Sequence, residues 1–100
     1  MNLIVRAYPD GVAFRYVLPA QPGLTHFIVS KELTSFHFAS NATVWAGITE
    51  QHHNSFEHEY AKHPLYAIPL GSHIILPLLA KVDTTYAAVM EADLTDWAGM

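Results

Sequence analysis

The sequence predicts an all-β chain, an antiparallel β-sandwich or an open half of one. Two observations predict it directly. The dominant hydrophobic period is two residues, the period of a strand. No segment sustains apolar residues at spacings of three and four, which excludes long helices. Turn-forming clusters rich in Pro, Gly, Asn and Asp separate the apolar runs, as hairpin-connected strands require.

The elements follow in order. Leu3, Val5 and Ala7 alternate with Ile4, Arg6 and Tyr8, and Pro9-Asp10-Gly11 reads as a tight turn. Val12, Phe14, Tyr16 and Leu18 then share a face, with Arg15 opposite. Two such strands around a short turn make a β-hairpin. Arg6 and Arg15 share a side or not according to the turn register. Pro19–Gly23 (PAQPG) is a loop by composition. His26–Ser30 is expected as a short strand, and Leu33–Ala39 as another, with Leu33, Ser35 and His37 on one face. Ser40-Asn41-Ala42 breaks the run before a strand over Thr43–Ala46. Gly47–Phe56 is polar and reads as a loop. Phe56–Lys62 and Leu65–Ile68 are weaker strand candidates. Ile74–Ala80 is apolar around Pro77, which cannot donate to a ladder, so that strand lies at an edge or is bulged there. Lys81–Thr84 reads as a turn, Tyr86–Glu91 as a strand, and Asp93–Met100 as a short helical turn at most.

Composition bounds the function. One hundred residues, 1–100, make a single small domain. Five Lys plus Arg against nine Asp plus Glu leave a formal charge of -4, the wrong sign for a nucleic-acid binder. Charged residues are 14% and hydrophobic ones 51%, too apolar for a disordered chain. No apolar run approaches the roughly 20 residues of a membrane span. A charged start followed by an apolar core is also missing, so no signal peptide is expected in this chain. Zero Cys removes disulfides and thiolate metal sites. A small chain this apolar either packs a very dense core or buries surface against something else.

Several residues are candidates for chemistry. Histidines stand at 26, 37, 52, 53, 58, 63 and 73, and His52, His53, Glu57, His58 and Glu59 lie close in sequence. Their spacing misses the H-E-x-x-H and H-x-x-E-H zinc patterns, so a polar surface loop is expected there. Glu91, Asp93 and Asp96 form the best carboxylate cluster. On a strand, Glu91 and Asp93 would share a face. Such a face suits a hard cation such as calcium, but calcium takes six to eight oxygens, more than this segment supplies. Arg6 and Arg15 are candidates to clamp an anion, or to pair with a carboxylate such as Glu32. Trp45, Tyr60, Tyr66, Tyr86 and Trp97 are candidates to stack on sugar rings, with core or rim packing as the alternative. There is no G-x-S-x-G elbow and no glycine-rich phosphate loop.

Five blocks together resemble one family. RAYPDGVAFRY (Arg6–Tyr16) is similar to a signature of the N-terminal domain of glycoside hydrolase family 97. KELTSFHFASNATVWA (Lys31–Ala46) resembles the next block, and EHEY (Glu57–Tyr60) a later Glu-x-x-Tyr region. LPLL (Leu76–Leu79) sits where the family has a Pro-Leu-Thr-like strand. MEADLTDWAGM (Met90–Met100) resembles the closing Glu-Ala-x-Leu-x-x-Tyr-x-Gly-Met block, with Trp97 in place of Tyr. The blocks run in family order over nearly the whole chain.

The resemblance implies a β-supersandwich of the galactose-mutarotase-like type, here incomplete, and places the chain in the C-terminal part of that N-terminal domain. Family members are α-glucosidases and α-galactosidases, found mostly in Bacteroides-type bacteria, acting on α-linked oligosaccharides, with a periplasmic location expected for the parent enzyme. Their catalytic carboxylates sit on a (β/α)8 barrel that lies outside this chain. The N-terminal domain packs on that barrel and sends one glutamate to a calcium ion beside the catalytic centre. By motif position that glutamate is Glu91. The expectation is a chain inactive by itself, holding no catalytic residue, and self-associating as a homodimer where its usual neighbours are missing. The rival readings are a free-standing carbohydrate-binding or interaction module, and a histidine-rich metal-binding β-protein.

Overall fold

The computed structural model describes residues 1–38, 42–51, 55 and 57–95. The class is all-β with antiparallel sheets, as the period of two predicts. Two compact units are present, Met1–Glu32 and Leu33–Met100.

The first unit is built on a hairpin. Strands β1 (Asn2–Tyr8) and β2 (Gly11–Val17) pair in register from Asn2↔Val17 to Tyr8↔Gly11. Pro9 and Asp10 make the two-residue connection, with the proline ring fixing φ near the value a turn needs. Opposed residues of an antiparallel pair project to the same side. The pairs Arg6↔Ala13 and Ile4↔Arg15 therefore put both arginines on one face. Leu3, Val5, Ala7, Val12, Phe14 and Tyr16 form the other, and Phe14 meets Tyr16 edge-on with centroids 6.1 Å apart. Both faces are largely exposed, with Val12 at 69% on one and Ile4 at 45% on the other. Beyond the hairpin, Gln21 and Leu24 form an isolated bridge around Gly23, which takes φ +83. Residues 26–30 and 33–38 contain no strand, contrary to expectation. Their alternation is that of a strand, but a strand is defined by a ladder, and pattern alone does not supply a partner. Phe27, Ile28 and Val29 are accordingly exposed.

The second unit holds a four-stranded sheet in the order β4-β3-β5-β6. Its strands are β3 (Thr43–Thr49), β4 (Ala61–Pro64), β5 (His73–Val82) and β6 (Thr85–Val89). β3 runs three residues further than Ala46, into the stretch read as a loop. β5 reaches Val82, so the turn shrinks to Asp83–Thr84 between the paired Val82 and Thr85. Asp83 takes φ 52, a left-handed value that Asp tolerates and a two-residue hairpin turn asks for. β6 ends at Val89, two residues before Glu91.

Pro77 lies inside β5, an interior strand of this sheet, and the ladder accommodates it by a bulge. Trp45 pairs with Leu79 and Gly47 with Ile75, so Ala46 faces the three residues around the proline. β6 pairs β5 only from Leu78 onward, leaving no ladder bond for Pro77 to supply. Leu65–Ala67, expected as strand, is a 3₁₀ turn. Pro64 and Pro69 bracket it, and the 3₁₀ period of three puts Leu65 and Ile68 on one side, where both pack on the core. The Leu65 amide donates to the Ala42 carbonyl at 2.8 Å, which fixes the turn beside β3.

One face of this sheet is the core. Val44, Ala46, Leu78 and Ala80 are buried, with Ala42 beside them, and Phe38, Ile48, Leu65, Ile68, Ile74, Leu76, Val82 and Val89 pack around. Among the described residues, three of the five buried hydrophobic side chains are alanines, so the covering residues approach the strands closely. Val44 is the largest side chain with essentially no exposure. Burying a Val is worth about 1.5–3 kcal/mol, which makes this a thin core for so apolar a chain.

Candidate functional site

The carboxylate cluster is placed by the end of β6. The strand stops at Val89, paired with Leu78, and the chain leaves the sheet through Met90 and Glu91. Glu91 is half-buried, whereas Asp93 is exposed. The strand alternation expected to align the two does not reach them. Instead Asp93 adopts a left-handed φ of 56, and the Thr95 hydroxyl donates to its Oδ1 at 3.1 Å. The local turn thus engages one Asp93 oxygen and separates the two carboxylates in role. Residues 91–95 contain no helix, and Asp96 and Trp97 lie outside the described residues.

The histidine-rich stretch divides similarly. His52 and His53 lie outside the described residues, while Glu57, His58 and Glu59 are exposed ahead of β4. This stretch crosses the outer side of β3 at Gly47. A Cβ added at Gly47 would sit 3.5 Å from the His58 Cβ and 3.6 Å from Ile75, so a larger residue there would push the crossing segment away. The Tyr60 hydroxyl completes the crossing by donating to the Ile75 carbonyl at 3.3 Å. Among the described residues no three His, Cys, Asp or Glu side chains converge to hold a metal ion. Ser35 Oγ and His37 Nε2 lie 2.9 Å apart in an exposed segment. The two arginines share the hairpin face as described, and the Arg6 guanidinium sits 5.2 Å over the Tyr8 ring.

The aromatic candidates give the most organised cluster. Trp45 and Tyr86 lie on the outer face of the four-stranded sheet, their ring centroids 6.0 Å apart and inclined by 33°. The Lys62 ammonium sits 5.7 Å from the Trp45 centroid, and that of Lys81 5.5 Å from Tyr86. The register places them: Trp45 opposes Lys62 on one side and Leu79 on the other, while Lys81 opposes Tyr86. Sequence reasoning singled out both aromatics and neither lysine. Only the pairing of strands distant in sequence brings the four together.

Comparison with known proteins decides the family. The family model described as glycosyl-hydrolase 97 N-terminal matches residues 1–100. The chain belongs to the glycosyl-hydrolase 97 N-terminal family. A probable retaining alpha-galactosidase of Streptomyces bingchenggensis (strain BCW-1) is 33% identical to it over 94 residues. That alignment covers 94% of this chain and 14% of the relative, so the chain spans about one seventh of the relative's length. No solved structure gives a significant match.

Proposed function

We propose that this glycosyl-hydrolase 97 N-terminal chain serves an α-glycosidase, acting on α-galactosides or α-glucosides, as a supporting domain without chemistry of its own. The observation that carries the reading is the family match along the whole chain, joined to the small share of the galactosidase relative that it covers. On this reading the chain packs on a catalytic barrel, which holds the acid and base. A glycosidase needs two carboxylates about 5–9.5 Å apart across the scissile bond. Of the carboxylates described beyond the end of β6, Glu91 is half-buried and Asp93 is exposed and accepts from the Thr95 hydroxyl.

Glu91 is the residue this chain gives to the site. Calcium takes six to eight hard oxygen ligands. On this reading Glu91 gives one of those oxygens and the barrel the others. Glu91 suits that part: a half-buried carboxylate two residues beyond the end of a paired strand. When bound, calcium would supply positive charge to orient neighbouring carboxylates and polarise the reacting group.

Two measurements test this reading in solution. The 100-residue chain is expected to give no turnover of nitrophenyl α-galactoside or α-glucoside, and the full-length protein to cleave at least one. Hydrolysis by the isolated chain would defeat the assignment of chemistry to a barrel. The isolated chain is also expected to self-associate, because Leu3, Val5 and Val12 on the hairpin are exposed and β6 is an edge strand of its sheet among the described residues. Light scattering is expected to give the mass of a dimer or more at 100 μM as a rough working concentration. A clean monomer would show that these surfaces need no neighbour.

A further inference from the structure

We propose that the outer face of the four-stranded sheet is a carbohydrate-binding surface that takes a glycan bearing uronic acid residues. The proposal stands on the juxtaposition of Trp45, Tyr86, Lys62 and Lys81.

Two cross-strand rows build the surface. One runs Lys62, Trp45, Leu79, Ala88 across all four strands, and the next runs Pro64, Thr43, Lys81, Tyr86. These positions alternate with the buried Val44, Leu78 and Ala80, so they face away from the core. The Trp45 and Tyr86 rings meet across β5, each beneath its lysine. Tyr86 is 57% exposed and Leu79 37%. Large hydrophobic side chains left open on an outer sheet face mark a contact surface. Small residues, Thr43 and Ala88, flank the rings and leave them room. Four strands at about 4.8 Å spacing span about 14 Å, the length of a trisaccharide.

The charge selects the ligand. The cations of the chain are Arg6, Arg15, Lys31, Lys62 and Lys81, and two of them stand on this face. The two rows contain no carboxylate, although the chain as a whole is at -4. Each ammonium lies within 6 Å of a ring centre. A pyranose that displaces the ammonium from over the ring would carry a carboxylate attached directly to its own ring into reach of that same lysine. A sulfate ester extends further from the sugar and fits the short spacing less well.

Calorimetric titration of the full-length protein tests the proposal, using trigalacturonate, neutral galactotriose and a sulfated galactotriose. Trigalacturonate is expected to bind at least ten-fold tighter than either of the others and to weaken as salt is raised. Lys62→Gln with Lys81→Gln, and separately Tyr86→Ala, are expected to raise its Kd at least ten-fold. Lys62 and Tyr86 are exposed, and glutamine keeps most of the half-buried Lys81 side chain, so the fold survives these changes. Absence of binding, equal binding of the neutral sugar, or tighter binding of the sulfated one would overturn the assignment. So would protection of Trp45 and Tyr86 from hydroxyl-radical labelling in the full-length protein without glycan, since another domain would then cover the face. Binding is read here without turnover, so the outcome is independent of whether the protein proves to be a glycosidase.

Discussion

Replacing Ala80 by Asp is expected to abolish cooperative unfolding of the four-stranded sheet. Ala80 has no measurable exposure and opposes Val44 on β3 and Ala87 on β6. No cation stands at either paired position, so the new carboxylate would have no partner across the ladder. An unpaired buried charge costs several kcal/mol, and added bulk in a packed core costs about 1–3 kcal/mol more. A whole domain has only about 5–15 kcal/mol in hand. The core here is one sheet face with three alanines, so little is available to offset the change. The matched control is Ala88→Asp, an exposed position on the opposite face of β6. It is expected to shift stability by no more than about 0.5 kcal/mol. Urea unfolding of the two variants side by side checks the facing of the sheet. Equal midpoints would mean that the core has been assigned to the wrong side.

The second large effect is expected at Glu91 in the full-length protein. Glu91→Gln keeps the shape and one carbonyl oxygen but removes the charge. Even outer-shell partners of a metal are worth about 10–100-fold in affinity or activity, so a direct ligand stands at the top of that range or above it. Turnover of an α-galactoside is expected to fall by about 100-fold or more, equivalent to about 2.7 kcal/mol of barrier. Added calcium is expected to restore part of the loss, which separates a ligand from a residue that merely supports the fold. Asp93→Asn is the companion variant. Asp93 is exposed and accepts a hydrogen bond from Thr95, so its loss should change turnover little.

The fold was legible where the signal was local. The hairpin could be read because Pro9-Asp10-Gly11 sits between two alternating runs, and the exact pairing then put Arg6 and Arg15 on one face. The Pro77 irregularity was also readable, since a missing N–H limits what a ladder can do. The choice between an edge and a bulge was not, because it depends on which strands flank β5, a long-range matter. Residues 26–30 and 33–38 failed for a related reason: alternation states that a segment can be a strand, and only a partner makes it one. At Leu65–Ile68 two prolines outweighed apolar composition. In the candidate site, Glu91 came from its place in a motif. Periodicity misled there, because it continued a strand that ends at Val89. The lysines beside Trp45 and Tyr86 had no sequence signal, since β3–β4 and β5–β6 register alone sets them there.

The claim on which the functional account turns is that this domain lends its host one acidic ligand. Calcium affinity of the full-length protein, measured by competition with a fluorescent chelator for the wild type and for Glu91→Gln, addresses it without recourse to catalysis. The account predicts a Kd raised at least about ten-fold in the variant, with an unchanged unfolding midpoint in the presence of chelator. Identical calcium affinities in the two proteins would contradict it.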